Sequence, residues 1–453
     1  MEAGEPQLPG WLRLEEVVRL AERLGASEAE AYAVASREAQ VDMRSSRVER
    51  STVSTTLTLG VRVAVKGAVA GAGGRVSGPG QVEEIVRAAV AAARRVQPDP
   101  SWPGFNPRVS AAPGGVEGAY HPETAEAGPG ELAPILAAAA SAAASRGASI
   151  SEASAAAGWE ARAYANSYGG PVGEASTYYV FYVEAVRGEG TYYDYLDSTR
   201  LEPRASEELA ALAAARAVEA SQARGLDGAF RGQVILEPGQ AGEMLSTLLE
   251  PALSAEAVIE GRSPLAGRLG EQVLSPSLTL ADDPHRPWRP ASSRFDAEGH
   301  PTAAKALVAS GRLEAYLHTH YTLSRHPHGG PAGNASRRSP WARPAPGASS
   351  LVLRPAKLHA SLDDLVARVE RGVVATANIG MWMSRPESGR LTATVTHGYL
   401  VERGSIVGPV KGVSLMADVY HLLGPGYLGA AGPLECRGST CAPALLVDGA
   451  TLA

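Results

Sequence analysis

The stretch Ser51-Thr-Val-Ser-Thr-Thr-Leu-Thr-Leu-Gly-Val-Arg-Val-Ala-Val65 decides the fold of the N-terminal half. β-Branched residues dominate it, and apolar residues alternate with polar ones, the pattern of a half-buried strand. The same alternation precedes it at Tyr32 and Val34 and again at Val41 and Met43, so the region reads as an antiparallel sheet. Helical spacing brackets the sheet on both sides. Leu14, Val17, Val18, Ala21 and Leu24 share one face of a helix that ends at Gly25, and Val82, Ile85, Val86, Ala89, Val90 and Ala93 share one face of another. Residues 1–96 are therefore expected to form an α+β unit in which helices cover one side of the sheet.

Working outward, residues 97–130 gather Pro and Gly without periodicity and read as a surface connection. Residues 131–230 repeat the first pattern. A helix is expected over 131–145, long strands over 150–168 and 174–187 joined through Ser167-Tyr-Gly-Gly-Pro171, and an Ala-rich helix over 206–224. This second α+β unit is expected to pack with the first. Tyr178, Tyr179, Tyr182, Tyr192, Tyr193 and Tyr195 crowd its second strand and the segment after it, as half-buried sheet surface or as an aromatic platform for peptides. From 231 to 453 short strands and tight turns prevail, so a β-rich, barrel-like C-terminal domain completes an α+β chain. The segment Arg325–Ser349, rich in Pro, Gly and Arg, is expected to be a mobile or ligand-covering loop.

Composition narrows the class. The chain has 453 residues, 45% hydrophobic and 20% charged, with a formal net charge of -6. That is enough for two or three structural units, and the acidic balance offers no attraction to nucleic-acid phosphates. Met1–Gly10 lacks a basic start followed by an apolar run, so a cytoplasmic location is expected. Asn and Gln are scarce and 32 Pro are present, which suits a heat-adapted source, although a GC-rich genome explains the same usage. Cys436 and Cys441 are the two cysteines. They are either a local disulfide or unrelated thiols, or a pair of soft metal ligands that would need further His or Cys.

Chemistry-bearing residues fall in three groups. The helix expected over Gln240–Glu250 carries Glu243 and Glu250 two turns apart, compatible with a shared site or with a solvated face. His318 and His320, at i and i+2 on an expected strand, would put both rings on one face, and with Cys441 they form an alternative metal set. Gly333-Asn-Ala-Ser-Arg-Arg338, with Arg325, Arg343 and Arg354 nearby, makes a local cationic patch. Asn334, Arg337 and Arg338 are its candidates for gripping a peptide backbone or terminal carboxylate, against the plainer reading of a solvated loop.

The runs Glu237-Pro-Gly-Gln-Ala-Gly-Glu-Met-Leu245, Gly261-Arg-Ser-Pro-Leu-Ala-Gly-Arg-Leu-Gly-Glu-Gln-Val273 and Phe295-Asp-Ala-Glu-Gly-His-Pro301, in this order and spacing, resemble the TldD/TldE (PmbA) family of metallopeptidase-related proteins. So do Gly333-Asn-Ala-Ser-Arg337, Ile406-Val-Gly-Pro-Val-Lys-Gly412 and Ala442-Pro-Ala-Leu-Leu-Val-Asp-Gly449. In the TldD-like branch the helix after the Gly-containing turn bears an HExxxH zinc motif. Here the motif falls on Ser246-Thr-Leu-Leu-Glu-Pro251, so Ser246 and Pro251 stand at the histidine positions and Thr247 at the glutamate position. A hydroxyl and a ring carbon do not replace imidazole ligands, and threonine is no base near neutral pH. The resemblance thus implies a TldE/PmbA-like subunit with no cofactor of its own. Zinc is expected in a TldD-like partner, with self-pairing as the other option, and unstructured peptides are the implied substrate.

Overall fold

A computed structural model describes residues 4–453. Its N-terminal half is built on one six-stranded antiparallel sheet, β1 (Glu28–Arg44), β2 (Arg47–Val65), β3 (Ala68–Arg75), β4 (Ser149–Asn166), β5 (Gly169–Arg187) and β6 (Gly190–Ser198). The strand order is 3-2-1-4-5-6. The two expected α+β units are therefore halves of a single sheet, because β1 pairs with β4 from Glu30↔Asn166 to Arg44↔Glu152. Small residues permit this close seam. A Cβ on Gly158 would lie 1.9 Å from the Arg37 carbonyl oxygen across it.

Helices cover one face as their periodicity predicts. On α1 (Leu14–Arg23) and α2 (Pro79–Ala93), Val17, Val18, Val86 and Val90 pack on Leu59, Val61 and Val63 of β2. On α4 (Pro129–Ser145) and α5 (Pro203–Gln222), Leu132, Leu136, Ala213 and Ala217 pack on Ile150, Phe181 and Val183. The connection 97–130 is more than a surface linker. It contains the short helix α3 (Pro122–Glu126), and it is pinned where the Trp102 indole and the Phe105 backbone N–H donate to Glu28, at 2.6 and 2.9 Å.

The C-terminal half is a closed barrel. β7 (Phe230–Leu236) runs parallel to Arg371–Ile379, which pairs with Arg390–Glu402, then Val413–Asp418, then Thr440–Leu452, which returns to β7. The strands Leu278–Asp282, Lys305–Ala309 and Leu351–Pro355 extend this sheet beyond the ring. Inward-facing Leu236, Leu391, Leu415, Leu445 and Val447 fill the core beneath Met244, Leu245 and Leu248 of the helical segment after β7. No described helix is long and apolar enough to cross a membrane.

The segment Arg325–Ser349 is not a loose cover. Ala335–Ser336 pairs with Ala345–Pro346, and the Pro340–Trp341 backbone lies directly on β2 and β3, where Gly60 and Gly71 leave room for it and Gly73 leaves room for the Trp341 indole. Glycine within a strand marks a place where another backbone approaches closely, as at Gly60 and Gly71.

Candidate functional site

Helix α6 (Pro238–Met244) starts directly after β7, with Pro238 in its first turn, where a missing N–H costs nothing. It then widens into a π turn over Leu245–Leu249 before Glu250–Ala252. Pro251 explains the change, since it has no N–H to give the Thr247 carbonyl and cannot continue the regular ladder. The wide turn also spoils the two-turn spacing of Glu243 and Glu250. Glu250 turns inward to accept the Ala348 N–H at 2.9 Å, while Glu243 faces a cleft and accepts from the Asn378 carboxamide at 2.9 Å, so the two do not share a site.

That cleft, about 700 Å³, lies between β6 and α5 on one side and α6 and the hairpin around Arg437 on the other. Of the three residues at the motif's histidine and glutamate positions, Ser246 lines it and Thr247 and Pro251 do not. The Ser246 hydroxyl donates to the Glu243 carbonyl at 3.1 Å. The Arg216 guanidinium on α5 holds both carboxylate oxygens of Glu237, at 2.6 and 2.7 Å, and also reaches the Tyr192 hydroxyl at 2.5 Å. Arg437 pairs with Asp194 at 3.0 Å. Burial pushes the Glu243 carboxyl above its ordinary value, with the Asn378 hydrogen bond acting the other way. The tyrosine cluster divides between roles: Tyr179 and Tyr192 are core, whereas Tyr193 and Tyr195 stand 43% and 36% exposed at the cleft.

The candidates Asn334, Arg337 and Arg338 lie elsewhere, around a second cleft of about 460 Å³ between the sheet and the barrel. Arg337 is not free for substrate. Its side chain is 2% exposed and donates to Glu30 at 2.5 Å, beside Arg62 at 2.8 Å and the Tyr164 hydroxyl at 2.8 Å. Burial alone would raise Glu30, but the two guanidiniums outweigh it and hold the carboxyl below the ordinary range. Asn334 is likewise committed, donating to Asp282 at 2.6 Å and accepting from Lys305. Only Arg338 is exposed.

The His318, His320 and Cys441 set does not come together. Cys441 is in a disulfide with Cys436, the local bridge that was one reading of these residues, and has no thiolate to offer. His318 and His320 do not share a strand. His318 is buried and stacks on His326, whereas His320 opens a short helix, His320–Arg325, with its ring 3.1 Å from His300. The residues in these places therefore do not fit a zinc ion.

Beside this network Glu298 is pushed up from 4.5 to about 7, by burial first and by neighbouring Asp296 second. A carboxyl whose folded value is raised stabilises most below its unfolded value, and that contribution is lost as pH rises through the folded one. Glu298→Gln is therefore expected to stabilise the protein by about 1–2 kcal/mol at pH 8 and to change little at pH 4.5. Urea unfolding at the two pH values checks it, and an equal effect at both would count against the assignment.

Three domain models of the PmbA/TldA metallopeptidase group match the chain: domain 1 over residues 29–93, the central domain over 122–220 and the C-terminal domain over 230–453. The chain belongs to the PmbA/TldD family of metallopeptidase-related proteins. Its fold matches that of TldE from Thermococcus kodakarensis with a TM-score of 0.85 at 22% identity, covering 97% of this chain and 99% of that one. Among curated relatives, an uncharacterized protein of Methanocaldococcus jannaschii is 30% identical over 225 residues, 49% of this chain and 50% of that protein. A metalloprotease of Archaeoglobus fulgidus is 29% identical over 217 residues, 44% of this chain and 48% of that protein. The chain thus spans about half the length of the curated relatives it matches.

Proposed function

We propose that this chain is the non-catalytic, TldE/PmbA-like subunit of a zinc-dependent peptidase that processes unstructured peptides. Its partner in this reading is a TldD-like subunit carrying HExxxH, or a second copy of itself, and both work in the cytoplasm. The observation that carries the reading is Ser246: the side chain that the family motif would make an imidazole lines the cleft as a hydroxyl, and its motif companions are Thr247 and Pro251. In the pair, the zinc-bearing subunit supplies an activated water, and this chain supplies walls that hold an extended backbone. The Cys436–Cys441 bridge favours a heat-adapted source, since cytosolic disulfides are rare in mesophiles and common in hyperthermophiles.

Co-expression with the TldD-like protein of the same genome tests this. A single co-eluting complex that cleaves unstructured peptides and spares folded proteins is expected, while the isolated chain is inactive and holds well under one zinc per chain. A chain that binds peptides alone but never joins a TldD-like partner would instead mark a stand-alone peptide-binding or regulatory protein.

A further inference from the structure

Along β6, tyrosines and carboxylates make three seats for a cation, and two of them are filled from within the protein. At the first, the Arg216 guanidinium lies 5.1 Å from the Tyr192 ring centroid and is paired with Glu237. At the second, the Arg437 guanidinium lies 5.8 Å from the Tyr195 ring centroid and is paired with Asp194. The third consists of Tyr193 and Glu243. The Tyr193 hydroxyl donates to the Asn378 carbonyl at 3.1 Å, and the Asn378 carboxamide donates to Glu243, so the two side chains are held on one wall of the cleft.

No guanidinium or ammonium among the described residues pairs with Glu243, and Tyr193 is 43% exposed, with its ring 6.4 Å from that of Tyr182. Charge across the cleft agrees: Asp194, Glu237, Glu243 and Glu435 face Arg216 and Arg437, and both arginines are already engaged. A desolvated carboxylate beside a partly exposed aromatic ring is a place where a cation gains both a charge-assisted hydrogen bond and a cation–π contact.

We infer that Tyr193 and Glu243 form the recognition seat for a cationic group of a bound peptide, a guanidinium or an ammonium. This rests on the proposed role in peptide handling and names the class of peptide that the cleft prefers. Both filled seats hold arginine, so an arginine or lysine side chain of the peptide is the first source, and the peptide's own terminal ammonium is the other source of the same chemistry.

The test uses the full chain and N-acetylated, C-amidated hexapeptides that are identical except for Arg, Lys, citrulline or norleucine at one central position, with binding read by fluorescence anisotropy. The Arg and Lys peptides are expected to bind about tenfold more tightly than the citrulline and norleucine peptides. That advantage should vanish in Glu243→Gln, with norleucine-peptide affinity unchanged. Tyr193→Leu, which keeps the carboxylate, should lose about threefold for the cationic peptides alone. An unacetylated norleucine peptide that gains the same Glu243-dependent advantage would assign the seat to the terminal ammonium and support it equally. Equal binding of all the peptides to the wild-type chain would overturn the cation seat and leave the peptide role standing. Binding of none would remove both.

Discussion

Arg337→Met is expected to destabilise the protein by about 3–5 kcal/mol at pH 7, because it strands a buried carboxylate. Glu30 is 1% exposed and faces Arg337, Arg62 and the Tyr164 hydroxyl, so removing one guanidinium leaves it undercompensated in a place water does not reach. Arg337 comes from the barrel half and Glu30 from the sheet half, and the loss therefore falls on the contact between them. Its pH dependence has a definite sign. Glu30 has a depressed folded value, so its contribution is present above the ordinary carboxylate range and is lost as pH falls through the folded value. The penalty of the substitution should accordingly shrink in acid. Arg338→Met next to it, exposed and without an ion pair among the described residues, is expected to change stability by about 0.5 kcal/mol or less. Urea unfolding of the two variants side by side decides between a structural and a substrate-facing Arg337, and a loss below about 1 kcal/mol for Arg337→Met would favour the latter.

Gly60→Val should cost about 3 kcal/mol or more, the upper end of overpacking effects. A Cβ at this position would stand 2.1 Å from the Pro340 carbonyl carbon and 2.4 Å from the Trp341 amide nitrogen. These are backbone atoms, so no side-chain rotation relieves the clash. The Pro340–Trp341 segment must lift or β2 must bend. Gly74→Val, in the neighbouring strand with nothing near its Cβ position, is the control and should be close to neutral. Limited proteolysis within residues 338–344 should accelerate for Gly60→Val alone, and an unchanged digestion pattern would mean that the Pro340–Trp341 segment is not held by this contact.

Much of the fold was legible because its signals are local. Alternation in Ser51–Val65 and 3.6-residue periodicity in 14–24 and 82–93 place β2, α1 and α2 near their observed bounds. What joins them was not legible. The β1–β4 seam that merges the two α+β units links residues more than a hundred positions apart, and Ala-rich strands such as Ala153–Ala157 carry no alternation to announce a partner. Arg337 looked like a loop cation because its counter-charge, Glu30, lies 307 residues away. The cleft was half legible. Glu243, Ser246 and the tyrosines stood out in the sequence, but Arg216, Asp194, Asn378 and Arg437 join them only through tertiary folding and carry no spacing signature. The π turn shows how one residue misleads: Pro251, just after the helix expected over Gln240–Glu250, widens the preceding turn and separates Glu243 from Glu250.

The central claim, that catalysis belongs to the partner and not to this chain, is tested most directly in the reconstituted pair. Replacing the glutamate of the TldD-like subunit's HExxxH by glutamine, with this chain unaltered and the complex still assembled, should reduce hydrolysis of an unstructured peptide to the level of buffer. The reciprocal change here, Ser246→Ala, should leave measurable turnover. Full activity with the partner's motif disabled, or complete loss on Ser246→Ala in an intact complex, would contradict the account.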